Sequence, residues 1–229
     1  AIRDELRALL LDATEIRLRS DVPVGAYLSG GLDSSIIAAA TRKLRPDRLK
    51  TFSVRFEAEE FDETEFQLAM VRALGTDHAS VTCKAADIGR DFPEVLRATE
   101  RPILRTAPAP LHRLSGYVRD QGYKVVLTGE GADEVFAGYD IFKEAKIRRF
   151  AARNPRQEWR GLLLRRLYPY MPRLQGQSQK YLEAFFATRG EEAGDPLFSH
   201  LPRFRPTAAA KVFFSAETRA ALAGYDALD

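Results

Sequence analysis

Cysteine and histidine are scarce in this sequence of 229 residues, which holds one cysteine and three histidines. The single cysteine, Cys83, excludes an internal disulfide framework and any metal site built from cysteines alone. Because Cys83 lies in a strand-like stretch, we predict that it is a buried structural thiol. His78, His112 and His200 lack the spacing of metal ligands, so we interpret them as ordinary polar residues.

The sequence also lacks a long hydrophobic run and a strong net charge. No apolar stretch reaches the roughly 18 residues of a membrane-spanning helix, and the charged start Ala1-Ile2-Arg3-Asp4-Glu5 is unlike a signal peptide. The net charge is +3, and for the basic segment 143–166 we favour a solvated helix surface over a nucleic-acid interface. We therefore expect a cytoplasmic globular protein with neither a membrane nor a nucleic-acid partner.

One short stretch carries the first indication of chemistry. Ser29-Gly30-Gly31-Leu32-Asp33-Ser34-Ser35 follows the apolar run 24–28 and precedes a helix-like segment. The two glycines allow a sharp turn, and the N–H groups of the first helical turn favour a bound phosphate or pyrophosphate. We expect Leu32 to turn into the core and Asp33 to hold a cation that bridges phosphate oxygens. The string resembles the pyrophosphate-binding loop (PP-loop) of the ATP pyrophosphatase group, which splits ATP between its α and β phosphates.

Hydrophobic periodicity predicts alternating strands and helices before residue 128. The predicted strands are 24–28, 49–56, 77–83 and 123–128. The predicted helices are 2–19, 36–44, 62–75, 87–99 (interrupted early by Pro93) and 111–121, with an irregular loop at 101–110. Such alternation indicates an α/β fold with a parallel, doubly wound sheet.

The pattern changes after Gly138, where helices are predicted at 141–152, 158–167, 179–188 and 216–223. We therefore predict a first domain over residues 1–150. Residues 151–229 are predicted to be a helical C-terminal continuation of that domain.

A second glycine-rich acidic stretch, Thr128-Gly129-Glu130-Gly131-Ala132-Asp133-Glu134, follows the fourth predicted strand. Ligands of doubly wound sheets bind beyond the carboxyl ends of the strands, so we expect this stretch to lie beside residues 29–35. Three carboxylates this close together are costly unless a positive group lies among them. Asp33 and Asp133 could hold Mg²⁺ on pyrophosphate, and Glu130 could orient or deprotonate an incoming amine.

Both stretches, with the strand Phe52-Ser53-Val54 between them, resemble the synthetase domain of glutamine-dependent asparagine synthetase over about residues 1–150. The resemblance implies an adenine-nucleotide α-hydrolase-like fold with ATP and Mg²⁺ as cofactors. It also implies a ligase reaction in which the β-carboxylate of aspartate is adenylated, pyrophosphate leaves, and ammonia displaces AMP to give asparagine.

The resemblance also assigns roles by position in this sequence. It implies catalytic roles for Glu130 and Asp33 and magnesium ligation by Asp33 and Asp133. The implied nucleotide-binding residues are Leu28, Ser29, Gly30, Gly31, Asp33, Ser34, Val54, Thr128 and Gly129.

The acceptor remains open, because the family's Thr-Thr-x-Arg pattern is not matched at Arg105-Thr106. The family has a phosphate-binding lysine in a later helical region, and its position in this sequence is left open, with neither Lys180 nor Lys211 assigned to it. The family enzyme begins with a glutaminase domain whose first residue is a nucleophilic cysteine, whereas this sequence begins at Ala1. We therefore expect a piece of a longer chain that receives ammonia from a glutaminase domain or partner.

Several alternatives accompany the leading hypothesis of aspartate amidation. One is a related amide-forming ligase of the β-lactam synthetase or peptide cyclase type, and another is an amidotransferase that acts on a different carboxylate. A third is a non-catalytic nucleotide-binding module. Monomer and homo-oligomer are both left open.

Overall fold

The computed structural model describes residues 1–47, 49–154, 157–188 and 190–225. The chain divides into two compact units, Ala1–Ala132 and Asp133–Asp229. No helix in the described ranges is both long enough and apolar enough to cross a membrane.

In its described residues, the first unit carries a four-stranded sheet and five α-helices. The strands are β1 (Val24–Tyr27), β2 (Lys50–Phe56), β3 (Asp77–Cys83) and β4 (Val125–Leu127). The helices are α1 (Ile2–Arg17), α2 (Leu32–Leu44), α3 (Thr64–Leu74), α4 (Ala85–Thr99) and α5 (Pro108–Asp120), and a 3-10 turn occupies Glu59–Phe61.

All neighbouring strands of this sheet are parallel, in the order β3-β2-β1-β4. The chain proceeds from β1 outward to β3 and then returns to the other side of β1, where Ala26 pairs with Leu127. Right-handed crossovers in opposite directions place the connecting helices on opposite faces. The predicted doubly wound parallel sheet is therefore confirmed, and its strand order reverses between β1 and β4.

The core of the first unit forms where β2 meets α5. Phe52 is fully buried and packs with Leu114 and Val118 of α5, and the ring of Tyr123 approaches Phe52 edge-on at 5.2 Å between ring centroids. Cys83, at the end of β3, is also buried, which confirms the structural thiol predicted from the sequence.

Leu32 corrects the sequence prediction, because its side chain is 75% exposed rather than turned into the core. The buried face of α2 consists of Ser34, Ala38 and Thr41, at the i, i+4, i+7 spacing of one helical face. Leu32 precedes Ser34 by two positions and therefore lies off that face.

Two helix predictions that depended on proline are corrected by the structure. α4 continues through Pro93, and α5 begins at Pro108, three residues earlier than predicted. Pro108 and Pro110 occupy the first turn of α5, where a missing N–H group sacrifices no intrahelical hydrogen bond. This early start matters for the candidate site, because Pro108 lines a pocket there.

The second unit is helical. Its α-helices are α6 (Ala132–Phe136, which begins at the last residue of the first unit), α7 (Asp140–Ala152), α8 (Pro172–Gln175), α9 (Gln179–Phe185), α10 (Leu201–Ala209) and α11 (Ala216–Ala221). Three 3-10 segments are Glu158–Arg166, Gly190–Gly194 and Ala210–Phe213. The segment predicted as a helix over 158–167 is thus a 3-10 helix, and α10, which holds Pro202 and Pro206, was not predicted.

A buried charge cluster holds the second unit together. Glu144 of α7 is fully buried, accepts a hydrogen bond of 2.6 Å from the Tyr168 hydroxyl, and pairs with Arg203 at 2.5 Å. Arg148 donates to the carbonyl oxygens of Phe186 and Phe198. Burial and the hydrogen bond to Glu144 raise the pKa of the Tyr168 hydroxyl, so it remains a donor at neutral pH.

Candidate active site

The glycine-rich loop starts from a firmly held strand end. Leu28 is fully buried, and its N–H group donates to the carbonyl oxygen of Phe52 at 2.9 Å. The carbonyl oxygen of Leu28 accepts a hydrogen bond from the buried Ser53 hydroxyl. On the neighbouring strand, the carbonyl oxygen of Val54 accepts from the buried side chain of Gln67 at 3.1 Å. These bonds fix the backbone at Leu28 and Val54, two of the residues that the resemblance implies to bind the nucleotide.

Two serines close the loop on itself. The Ser29 N–H group donates to the Ser34 hydroxyl at 3.2 Å, and the two hydroxyl oxygens lie 2.9 Å apart. Ser34 in turn donates to the carbonyl oxygen of Gly31, and the Gly31 N–H group donates to the Ser29 hydroxyl, both at 3.2 Å. Both serines therefore shape the cradle that the sequence predicted for pyrophosphate.

Gly30 lets the loop pack against α3. Its φ of +88° lies in the left-handed region, and a Cβ atom there would lie 2.7 Å from Cβ of Phe66. A side chain at position 30 would also lie 2.8 Å from the Gln67 backbone nitrogen. Glycine is required at this position both for its conformation and for space.

The second motif reaches the first through Gly129. A Cβ atom at Gly129 would lie 2.7 Å from the backbone nitrogen of Ser34 and 2.8 Å from the carbonyl carbon of Asp33. Residues 128–130 therefore lie directly beside the N-terminus of α2, as expected from the parallel sheet. Asp133 belongs to the second unit, so its pairing with Asp33 around magnesium stays a prediction.

Several polar groups of this site have no partner in the described ranges. The half-buried Asp33 carboxylate and the exposed Glu130 carboxylate make no ion pair or hydrogen bond there, and the buried Ser35 hydroxyl oxygen has no hydrogen-bond partner. A helix N-terminus with an unpaired carboxylate fits Mg²⁺ carried on phosphate, because Mg²⁺ needs only one or two carboxylates beside phosphate oxygens. The same ranges contain no cluster of three or more acidic, histidine or cysteine side chains placed to bind a metal.

A pocket of about 370 Å³ opens at the carboxyl ends of β1 and β4, where the strand order reverses. One face of each flanking helix forms its walls, because the α5 residues follow the i, i+3, i+4, i+7 spacing of a helical face. Its lining residues are Tyr27 from β1, Val95, Ala98 and Thr99 from α4, Pro108, Leu111, His112 and Ser115 from α5, and Thr128 and Glu130 after β4. Arg105 and Thr106 are exposed and do not line it.

The sequence interpretation missed the place of His112 in this pocket. A lone histidine carries no motif, and the predicted start of α5 at residue 111 separated Pro108 from the rest of the face. The spacing of residues 108, 111, 112 and 115 was the available signal. Tyr27, whose hydroxyl is hydrogen-bonded to Ser115, has a pKa raised by burial and stays neutral.

The sheet and loop define an α/β protein with a glycine- and serine-rich loop where its strand order reverses. Comparison with known proteins identifies its family. The family model described as Asparagine synthase matches residues 5–225, so the chain belongs to the asparagine synthase family. The matches to curated proteins lie in the synthetase part of asparagine synthetases.

Three curated relatives illustrate the family match, and one solved structure is reported after them. A putative glutamine-hydrolyzing asparagine synthetase of Mycobacterium tuberculosis is 40% identical over 141 residues, which cover 62% of this chain and 21% of that protein. Asparagine synthetase 1 of Bacillus subtilis is 36% identical over 61% of this chain and 22% of that protein. The amidase chyE of Penicillium rubens is 36% identical over 152 residues, which cover 60% of this chain and 23% of that protein. An NH3-dependent NAD synthetase from Campylobacter jejuni shares 15% identity at a TM-score of 0.41, covering 82% of this chain and 97% of that one.

Proposed function

We propose that this chain carries out ATP-dependent, AMP-forming amidation of a carboxylate, with aspartate as acceptor and asparagine as product. The observation that supports the proposal is the approach of Gly129 to the first turn of α2. This contact joins the phosphate cradle to the loop that carries Glu130. A nucleotide in the cradle and an acceptor in the adjacent pocket would then meet at one edge of the sheet.

The proposed reaction has two steps. A carboxylate oxygen of the acceptor attacks the α-phosphorus of ATP, and pyrophosphate leaves into the cradle formed by residues 29–34. Ammonia then attacks the acyl carbon of the adenylate, AMP leaves, and the released proton passes to the Glu130 carboxylate. Magnesium held by Asp33, with Asp133 as the predicted second ligand, would neutralise charge on the pyrophosphate. Catalysis here consists of positioning and electrostatic stabilisation, without a covalent intermediate on the protein.

The proposed acceptor and the proposed nitrogen source are inferred from the names of the relatives. Those from Mycobacterium tuberculosis and Bacillus subtilis are named glutamine-hydrolyzing asparagine synthetases, which supports aspartate as acceptor and a glutaminase part as the source of ammonia. Two further relatives are named amidases, so the alternative of an acceptor other than aspartate stays open. The chain spans 21% to 28% of the length of the asparagine synthetases from Mycobacterium tuberculosis and Escherichia coli.

ATP–pyrophosphate exchange in the presence of Mg²⁺ tests the proposal. We expect exchange that requires aspartate and is lost in Asp33→Ala, because that variant lacks the carboxylate beside the cradle. The matched control is Asp120→Ala, an exposed acid at the end of α5, which should exchange like the unsubstituted chain. ATP binding without exchange, with any of a panel of carboxylates, would instead support the non-catalytic nucleotide-binding module.

A further inference from the structure

Few of the side chains that line the pocket between α4 and α5 can carry a charge. Within the described residues its lining includes no lysine or arginine, and apart from the Tyr27 hydroxyl only Glu130 and His112 carry ionisable side chains. Neither side chain has a hydrogen-bond or ion-pair partner in the described part of the chain. The remaining wall is mainly aliphatic, from Val95, Ala98, Pro108 and Leu111.

Residues next to His112 on α5 hold this part of the pocket wall in place. Arg113, the next residue along α5, donates two hydrogen bonds of 3.0 and 2.7 Å to Asp91 of α4. The same guanidinium lies 3.2 Å from Asp87. Three residues after His112, Ser115 is hydrogen-bonded to Tyr27 of β1. The imidazole therefore projects from a helix that is tied to both α4 and the sheet.

These observations suggest how an acceptor is oriented. The carboxylate that reacts must approach the nucleotide, on the side where Thr128 and Glu130 border the cradle. A second anionic group on the acceptor would need a donor further along the α5 face. The exposed His112 is the one lining residue in the described ranges that can supply a cationic donor there. The aliphatic wall would then contact the carbon chain between the two groups.

We propose that His112 is the specificity-determining residue of the acceptor pocket and that it binds the second carboxylate of a small dicarboxylic acceptor such as aspartate. This inference rests on the proposed function, since it takes the pocket to be the acceptor site. It goes beyond that function by naming the residue that separates dicarboxylates from monocarboxylates.

Direct binding tests the inference separately from the reaction. Titration calorimetry of the unsubstituted chain, saturated with a non-hydrolysable ATP analogue, would compare aspartate with β-alanine, which lacks the α-carboxylate. We expect aspartate to bind more tightly. His112→Gln should weaken aspartate binding by about ten- to a hundredfold, the range for losing a hydrogen bond to a charged group, and should leave β-alanine nearly unchanged.

Two further variants separate recognition from structure. His112→Lys restores a cation and should recover part of the preference for aspartate, and His200→Gln, a histidine of the second unit, should retain the whole preference. An aspartate-to-β-alanine preference that His112→Gln leaves intact would overturn the inference, and so would absence of aspartate binding to the unsubstituted chain. Binding that depends on His112, in a chain that shows no pyrophosphate exchange, would support the inference and contradict the proposed function.

Discussion

At the scale of the single residue, Gly129 is the position that sets the distance between the two motifs. Replacing it with alanine would force a Cβ atom against the backbone of Asp33 and Ser34. Backbone atoms cannot move aside as the end of a flexible side chain can. We expect Gly129→Ala to displace the loop from α2, to cost about 1–3 kcal/mol of stability and to weaken ATP binding by about tenfold or more. Calorimetric titration with an ATP analogue, alongside urea unfolding, measures both effects.

Gly116→Ala is the matched control for that variant. Gly116 lies inside α5, and a Cβ atom there would meet nothing within 4 Å. Alanine in a helix interior is favoured over glycine by roughly 0.5–1 kcal/mol, so the control should be as stable as the unsubstituted chain or more stable. ATP affinity in Gly129→Ala equal to that of the control would show that the Gly129 contact does not shape the cradle.

Single residues also show where sequence prediction succeeds and where it stops. The glycines and serines of residues 29–34 could be assigned to a cradle because the backbone there must turn sharply next to a helix N-terminus, and local sequence encodes that requirement. His112 could not be assigned, because its place depends on how α5 packs against α4 and β1. Leu32 was placed wrongly because its burial depends on which face of α2 meets the sheet.

At the scale of the element, the strands and first helices of the first unit follow their local pattern closely. The predicted bounds of β3 coincide with the structure, and the helix predicted over 62–75 is observed one to two residues shorter at its ends, as α3. Helices that contain proline were harder to predict. α10 has Pro202 in its first turn and Pro206 in its interior. Because proline lacks an N–H group and usually ends a helix, the sequence did not predict a helix here.

The N-terminus of α4 gives a pH-dependent prediction. The Lys84 N–H group donates to the Asp87 carboxylate at 3.0 Å, and this bond, with Arg113 and Arg90 nearby, lowers the pKa of Asp87 below its ordinary value. A lowered folded-state pKa stabilises the fold at pH values above the ordinary pKa near 4. That contribution is lost as the pH falls through the folded-state pKa.

Asp87→Asn should therefore be less stable than the unsubstituted chain at pH 7, because asparagine keeps an acceptor for Lys84 but loses the charge. The difference should shrink as the pH is lowered from about 4 to about 2, where the aspartate is protonated too. Urea unfolding across that range measures the difference, with the exposed Asp120→Asn as control. A difference that stays constant down to the lowest pH would contradict the role of the charge.

At the scale of the whole molecule, the two units are stabilised by different means. The first unit is organised by an apolar sheet core around Phe52, which alternation in the sequence made predictable. The second unit surrounds the fully buried Glu144 with Arg148, Arg203 and Tyr168. A buried cluster of this kind joins residues up to 59 positions apart without a periodic signal, so the packing of this region could not be predicted from the sequence.

The choice between ammonia and glutamine as nitrogen source concerns the whole molecule. It can be tested in this chain because Cys83 is the single cysteine that could act as a glutaminase nucleophile. Glutamine hydrolysis by a cysteine nucleophile requires an accessible thiolate, but Cys83 is the single cysteine, it is buried, and burial raises the pKa of its thiol. We expect ammonium to support AMP formation with aspartate and ATP, and glutamine to give neither AMP above background nor glutamate. Cys83→Ala should behave in the same way, because the thiol packs at the end of β3 and takes no part in the chemistry. Release of glutamate by the unsubstituted chain that disappears in Cys83→Ala would show instead that this domain carries its own glutaminase nucleophile.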